Sequence, residues 1–315
     1  MNHSQTLRIG LIQHACPPAQ SLGQSPEANL DIACDMIRQA ASQGATLIVT
    51  QELFTAHYFP QVQDDALFDL AQTVPIPGEH HGPVTADQAG PTSVRLSTLA
   101  AELGVTLSGS IFERRAPGVY HNTTITFGPD GSPVGRYRKM HIPDDPRFYE
   151  KYYFTPGDLG WQTFPLPGKE KIGTLVCWDQ WFPEAARLTA LKGAQLLLYP
   201  TAIGYYNHPE LGEPPAVREQ QRDAWQTVMR GHAIANGVFV AAANRVGVED
   251  DLTFWGSSFV CGPDGKIIAQ ASRDAQEVLV VDCDLSLIEA QRRGWPFLRD
   301  RRIDAYDNLY KRMEP

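Results

Sequence analysis

The sequence is poor in the features that mark several protein classes. Its five cysteines, Cys16, Cys34, Cys177, Cys261 and Cys283, form no C-x-x-C pair, and an odd, scattered set suits neither a disulfide framework nor a zinc site. Reduced thiols and a cytoplasmic location are therefore expected. His80, His81, His121 and His141 lack metal-ligand spacing, so no metal or other cofactor is expected. No continuous apolar run is long enough to span a bilayer, and the opening residues MNHSQTLRIG lack the basic-then-apolar layout of a secretory signal. Basic charge is also in deficit: 27 Lys and Arg against 36 Asp and Glu leave a net charge of −9. That balance argues against nucleic acid as a partner and is compatible with a cationic small molecule.

What is present is a sequence that says much the same thing twice. Short β-branched runs at 7–13 and 46–50 flank an amphipathic stretch at 29–42, whose apolar positions Leu30, Ile32, Ala33, Met36, Ile37 and Ala40 have helical spacing. A long loop with a short helix at 66–70, a helix at 93–103 and strands at 105–112, 121–127 and 134–137 follow. In the second half Lys171-Ile172-Gly173 echoes Arg8-Ile9-Gly10, and Gly193-Ala194-Gln195-Leu196 echoes Gly44-Ala45-Thr46-Leu47. Gly237-Val238 repeats Gly104-Val105, and the turn GPDG occurs at both 128–131 and 262–265. No strand, glycine-rich loop and helix surround either copy as a phosphate cradle requires, so both read as hairpin turns. Buried strands alternating with helices call for sheets covered by helices. Two equivalent half-units, each with one free sheet face, would stack sheet on sheet as a four-layer α-β-β-α sandwich. The expected division is a single domain over 1–284 and an arginine- and aromatic-rich tail over 285–315, packed on the body or on a partner subunit.

The stretch KIGTLVCWDQWFPE is where this architecture meets chemistry. The buried strand 172–176 delivers Cys177 at its carboxyl end, and Pro183 stands where a helix begins. Open α/β sheets place their ligands at that edge, and helix N–H groups nearby would favour a thiolate. The residue reads equally as a small core hydrophobe. Glu52 follows the second strand of the first half, so stacked sheets could bring it to the same cleft. A buried carboxylate there could take the thiol proton and later activate water, although a solvated loop acid is the commoner fate. A cation among Arg136, Arg138 and Lys139 could stabilise an oxyanion, with the Trp178 backbone N–H as the second donor.

QELF around Glu52, RKMHIPDD around Lys139 and CWDQWFPEAAR around Cys177 together resemble the carbon–nitrogen hydrolase (nitrilase) superfamily. The resemblance covers nearly the whole chain and rests on three motifs in the right order. It implies the four-layer sandwich, with Glu52 as base, Lys139 as oxyanion stabiliser and Cys177 as nucleophile. YEKYYFTPGD resembles the family's segment with a second glutamate, which carries over to Glu150. Within the superfamily, RKMHIPDDPRFYEKYYFTPGD, YPTAIG, MRGHAIAN and WGSSFV are similar to the branch acting on carbamoyl amines such as N-carbamoylputrescine. An acid that meets the distal amine soon after YPTAIG in some members is replaced here by Tyr205-Tyr206-Asn207, which leaves Glu210 or Glu213 to take its place. Tyr205, Glu210 and Glu213, on a loop without Lys or Arg, are thus the expected substrate contacts beside Trp178. Three alternatives stand: an ω-amidase, a carbamoyl-β-amino-acid hydrolase, and a non-catalytic binding protein on the same fold. The resemblance also implies a homo-oligomer, a dimer or larger.

Overall fold

The computed structural model describes residues 6–16, 26–207 and 212–313. Two six-stranded sheets dominate it. The first runs Glu277–Asp284, Thr6–Gln13, Leu47–Val49, Thr106–Ala116, Val119–Phe127, Pro133–Arg138. The second runs Thr163–Pro165, Lys171–Thr174, Leu196–Thr201, Phe239–Asn244, Phe259–Cys261, Ile267–Gln270. Position by position these are one plan. An antiparallel edge strand is followed by three parallel strands and two antiparallel ones. The repeat read from the sequence is therefore a repeat of strand order. One exchange ties the halves together, because Glu277–Asp284 comes from the end of the chain and completes the first sheet beside Thr6–Gln13.

The side-chain alternation of a strand explains the layers. Leu47 and Val49 face the second sheet and share a core with Leu196, Leu198 and Ala241, whereas Ile48 between them faces the helices Pro26–Ser42 and Pro91–Leu103. On the outer face of the second sheet lie the helices Pro183–Leu191 and Pro215–Asn236, which contribute Ala186, Trp225 and Met229. The order is helix, sheet, sheet, helix, as the two half-units require. Gly10 and Gly173 mark close approaches of a helix to each sheet. A Cβ on Gly10 would meet the Ala40 Cβ at 2.9 Å, and one on Gly173 would overlap the Thr189 methyl.

The structure corrects the expected elements in three places. Gly204–Tyr206, read as loop, is a strand that pairs with Leu252–Trp255 in a third, three-stranded sheet. The strand leading to Cys177 stops at Thr174, and the helix read from 221 starts at Pro215. Cys177 itself opens a short 3-10 turn, Cys177–Trp181, ahead of the α-helix that begins at Pro183 as expected. In the tail, Ser286–Gly294 is a helix whose Ile288 joins Leu285 in the main core, and the Arg292 guanidinium donates to the Asn236 carbonyl at 3.1 Å. Beyond it Trp295, Phe297, Ile303, Leu309 and Tyr310 are exposed.

Candidate active site

Each of the three motif residues lies just past the end of a strand, where the chain leaves the sheet. Thr50 still bonds the neighbouring strand through the Ser108 carbonyl, but the Glu52 N–H turns to the Thr201 carbonyl of the other sheet at 3.4 Å. Leu53 then takes a left-handed backbone conformation (φ 48°), which redirects the chain at once. Lys139 follows Pro133–Arg138, its N–H donating to the Asn122 carbonyl at 2.9 Å. Cys177 also has a positive φ, 41°, so its Sγ stands on a strained corner and donates to the Ala202 carbonyl at 3.8 Å.

The side chains meet in one buried cluster. Lys139 Nζ donates to Glu52 Oε1 at 2.8 Å and to Glu150 Oε2 at 2.7 Å, and all three side chains are wholly inaccessible. Glu150 sits at the start of the one-turn helix Glu150–Tyr153 and receives the Tyr58 hydroxyl on Oε1 at 2.5 Å. Asn122 donates its amide to Glu52 Oε1 at 2.6 Å. Lys139 and Asn122 therefore use the same Glu52 oxygen, and Oε2 is buried without a hydrogen-bond partner among the described residues.

The electrostatics follow from one cation between two carboxylates. Burial disfavours the Lys139 ammonium, but Glu150 and Glu52 outweigh it and hold the group above its ordinary value. A single lysine cannot neutralise both acids. Burial, reinforced by the Glu52 charge, pushes Glu150 up to about 7 against the pull of Lys139. Burial and the Glu52 charge raise the Cys177 thiol well above its ordinary range. This runs against the expectation of a thiolate favoured by nearby helix N–H groups, because the thiol is desolvated beside carboxylates. The arrangement suits a thiol that loses its proton during attack, to a carboxylate oxygen kept free for it.

Cys177, Trp178 and Glu150 line a cavity of about 650 Å³ whose walls include Phe148, Trp181, Ile203, Tyr206 and Trp255. Glu213 lies on the same cavity. Its Oε1 accepts from Gln221 Nε2 at 2.7 Å, and its Oε2 is buried without a hydrogen-bond partner among the described residues. Asp145 adds a third carboxylate to the wall, and no lysine or arginine is among the described residues that line it. Tyr205 is a correction. Alternation along Gly204–Tyr206 sends Tyr206 to the cavity, while Tyr205 borders a separate cleft, where Arg218 lies 4.5 Å from its ring centroid. Glu210 lies outside the described residues.

Sequence reasoning missed Asn122, Tyr58 and Asp179. Asp179 is fully buried: Oδ2 accepts from Val176 N at 3.0 Å and the Tyr137 hydroxyl at 2.8 Å, and Oδ1 accepts from His141 N at 3.0 Å. It thus ties the Cys177 corner to the segment after Lys139. An acid inside the apolar run CWDQWF was the available signal. His141, considered above as a metal ligand, bonds Asp179 through its ring and stacks on Phe182 with centroids 3.6 Å apart.

Comparison with known proteins agrees with this fold. The carbon-nitrogen hydrolase family model matches residues 8–293. The chain is similar to an N-carbamoylputrescine amidase of Solanum lycopersicum, at 41% identity over 97% of this chain and 95% of that one. It is also similar to a citrullinase of Francisella tularensis, at 39% identity over 93% and 96%. The crystal structure of a carbon-nitrogen hydrolase from Helicobacter pylori G27 superposes with a TM-score of 0.87 at 43% identity, covering 98% of this chain and 100% of that one. The chain therefore belongs to the carbon–nitrogen hydrolase family and is a hydrolase of non-peptide carbon–nitrogen bonds.

Proposed function

We propose that this enzyme hydrolyses N-carbamoylputrescine, or a closely related linear carbamoyl amine, to the amine, ammonia and carbon dioxide. The observation that carries the reading is the cavity itself. Its described wall holds the Cys177 thiol together with the carboxylates of Glu213 and Asp145, among apolar and aromatic residues and without a lysine or arginine. A neutral methylene chain with a terminal ammonium matches that distribution.

In the proposed sequence Glu52 Oε2 takes the Cys177 proton as Sγ bonds to the carbamoyl carbon. Two N–H bonds of the Lys139 ammonium hold carboxylates, and the third, with the Trp178 backbone N–H, stabilises the oxyanion. The carbon–nitrogen bond breaks as Glu52 returns its proton to the departing ammonia. Water then gives a proton to Glu52 and attacks the thiocarbamate, the carbon–sulfur bond breaks, and Sγ is reprotonated. The carbamate so formed loses carbon dioxide. Glu150 keeps Lys139 oriented throughout. These steps use side chains, backbone and water alone.

The citrullinase relative favours a second reading, since citrulline carries the same ureido group. Its α-carboxylate would need a cation that the described wall does not offer. Ammonia release from N-carbamoylputrescine, citrulline and N-carbamoyl-β-alanine tests the choice. The expected order has N-carbamoylputrescine highest in kcat/KM, and faster turnover of either carboxylate-bearing compound rejects the polyamine assignment. The same reading makes the enzyme a step in polyamine formation in the cytoplasm, supported by five free, buried cysteines. It also makes residues 1–284 the catalytic domain and gives the exposed apolar residues of the tail a homo-oligomeric partner.

A further inference from the structure

Arg245 has no place in the steps above, yet it is among the most completely used side chains in the molecule. It follows the second-sheet strand Phe239–Asn244 and is wholly buried. A guanidinium has five N–H donors, and each of these has an acceptor. Nη2 donates to the carbonyls of Leu53 at 2.7 Å and Ala56 at 2.6 Å, and Nε to that of Glu52 at 3.3 Å. Nη1 donates to Glu249 Oε1 at 2.6 Å and to Cys16 Sγ at 3.0 Å.

Three of the five acceptors are backbone carbonyls of the turn that begins at Glu52. That turn contains the left-handed Leu53, a conformation that persists only where its surroundings enforce it. Glu249, the counter-charge, reaches the other acid of the cluster: its Oε2 accepts the Tyr58 N–H at 2.6 Å, and the Tyr58 hydroxyl holds Glu150. One ion pair from the second half of the chain thus grips the backbone of Glu52 on one side and, through Tyr58, the carboxylate of Glu150 on the other. It does so from outside the cavity wall.

We infer that the buried Arg245–Glu249 pair is a positioning device that sets the Glu52 carboxylate against Cys177 and fixes the two carboxylates on either side of Lys139. It rests on the reading of Glu52 as the base. Lysine at 245 keeps the charge but offers at most three donors without the planar fork, so the turn would lose part of its support. A base misplaced by about 1 Å can lose about a hundredfold in rate.

The test uses the full-length enzyme with Arg245→Lys, Glu249→Gln and Glu52→Gln, each checked for folding by circular dichroism and thermal melting. Turnover of N-carbamoylputrescine and the rate of Cys177 alkylation by iodoacetamide are measured across pH. Arg245→Lys is expected to lower kcat by about tenfold to a hundredfold, with KM within about twofold. Alkylation near neutral pH should slow and come to rise about tenfold per pH unit, as for a thiol ionising without a base. A role in stability alone would lower the melting point and leave the pH profile per folded molecule unchanged. A folded Arg245→Lys enzyme with wild-type kcat and profile overturns the inference. If that variant does not fold, Glu249→Gln is judged by the same two readouts and the same outcomes. If Glu52→Gln stays active, the reading of the base falls first. If Glu52→Gln is inactive and Arg245→Lys behaves as wild type, the positioning role alone is rejected.

Discussion

Gly10 and Gly173 occupy equivalent strands of the two sheets, and each lies against the helix that follows it. Ala45 and Ala194, from the repeated Gly-Ala pairs, close the same contact in each half, at 3.2 and 3.3 Å from a Cβ placed on the glycine. The halves therefore share their packing rules down to single residues. Their strand ends differ. The first half brings the charges, Glu52 and Lys139, and the second brings the neutral thiol of Cys177 on a strained corner. Sheet stacking makes these complementary, so duplication conserved the scaffold while chemistry was divided across the interface. On the proposed mechanism, neither half alone supplies both the base and the nucleophile.

That division can be broken from either side. Cys177→Ala removes the sulfur with which the second half is proposed to attack the substrate, and turnover should fall on the order of 10⁴-fold or more, with the melting temperature little changed. Glu52→Gln keeps the shape of the first half's contribution but not its proton acceptor. Its kcat should drop by about 10²–10⁴-fold, and near-normal turnover would mean that the first half supplies only structure. Glu213→Gln sharpens the comparison by separating recognition from reaction. KM for N-carbamoylputrescine should rise about tenfold with kcat nearly unchanged, the pattern of lost uniform binding. A fall in kcat alone would place Glu213 in the chemistry instead.

The Glu150 carboxyl offers a test in pH. Its ordinary value of 4.5 is raised to about 7 in the folded protein, chiefly by burial. Between those values the folded state keeps a proton that the unfolded chain has released, so stability from this group is full below pH 4.5 and is lost as pH rises through 7. Urea unfolding at intervals across that window should show the decline, and Glu150→Gln should flatten it. The smallest effects concern packing alone. Gly10→Ala and Gly173→Ala should each destabilise by roughly 1–3 kcal/mol, the range for overpacking, without altering kcat per folded molecule. Gly173→Ala should cost more, because its new methyl would overlap Thr189, whose hydroxyl is already bonded to the Ala185 carbonyl at 2.8 Å.

Much of this was legible before any coordinates. The apolar runs are short, β-branched and repeated, so their burial and order could be read locally, and three dense motifs pointed to Glu52, Lys139 and Cys177 as candidates. What escaped depends on partners distant in sequence. Gly204–Tyr206 looks like a loop because its strand character comes from pairing with Leu252–Trp255, which local propensity does not contain. Without that pairing Tyr205 and Tyr206 could not be assigned to opposite faces. Asn122, Tyr58 and Arg245 are single polar residues in unremarkable surroundings, indistinguishable from surface ones until the sheets stack and bury them. The 3-10 turn Cys177–Trp181 is too short to carry a helical period, so only the α-helix start at Pro183 could be read there.

Glu213 has a kinetic consequence of its own. The ammonium it is proposed to hold takes no part in the reaction and is still present on the amine once carbon dioxide has left. The grip that admits the substrate therefore also retains the product, and the diamine should act as a competitive inhibitor whose affinity falls in Glu213→Gln by the same factor as the substrate's. An enzyme that recognises its substrate by the untouched end carries feedback within its own active site: as the diamine accumulates, its synthesis slows without any separate regulatory element.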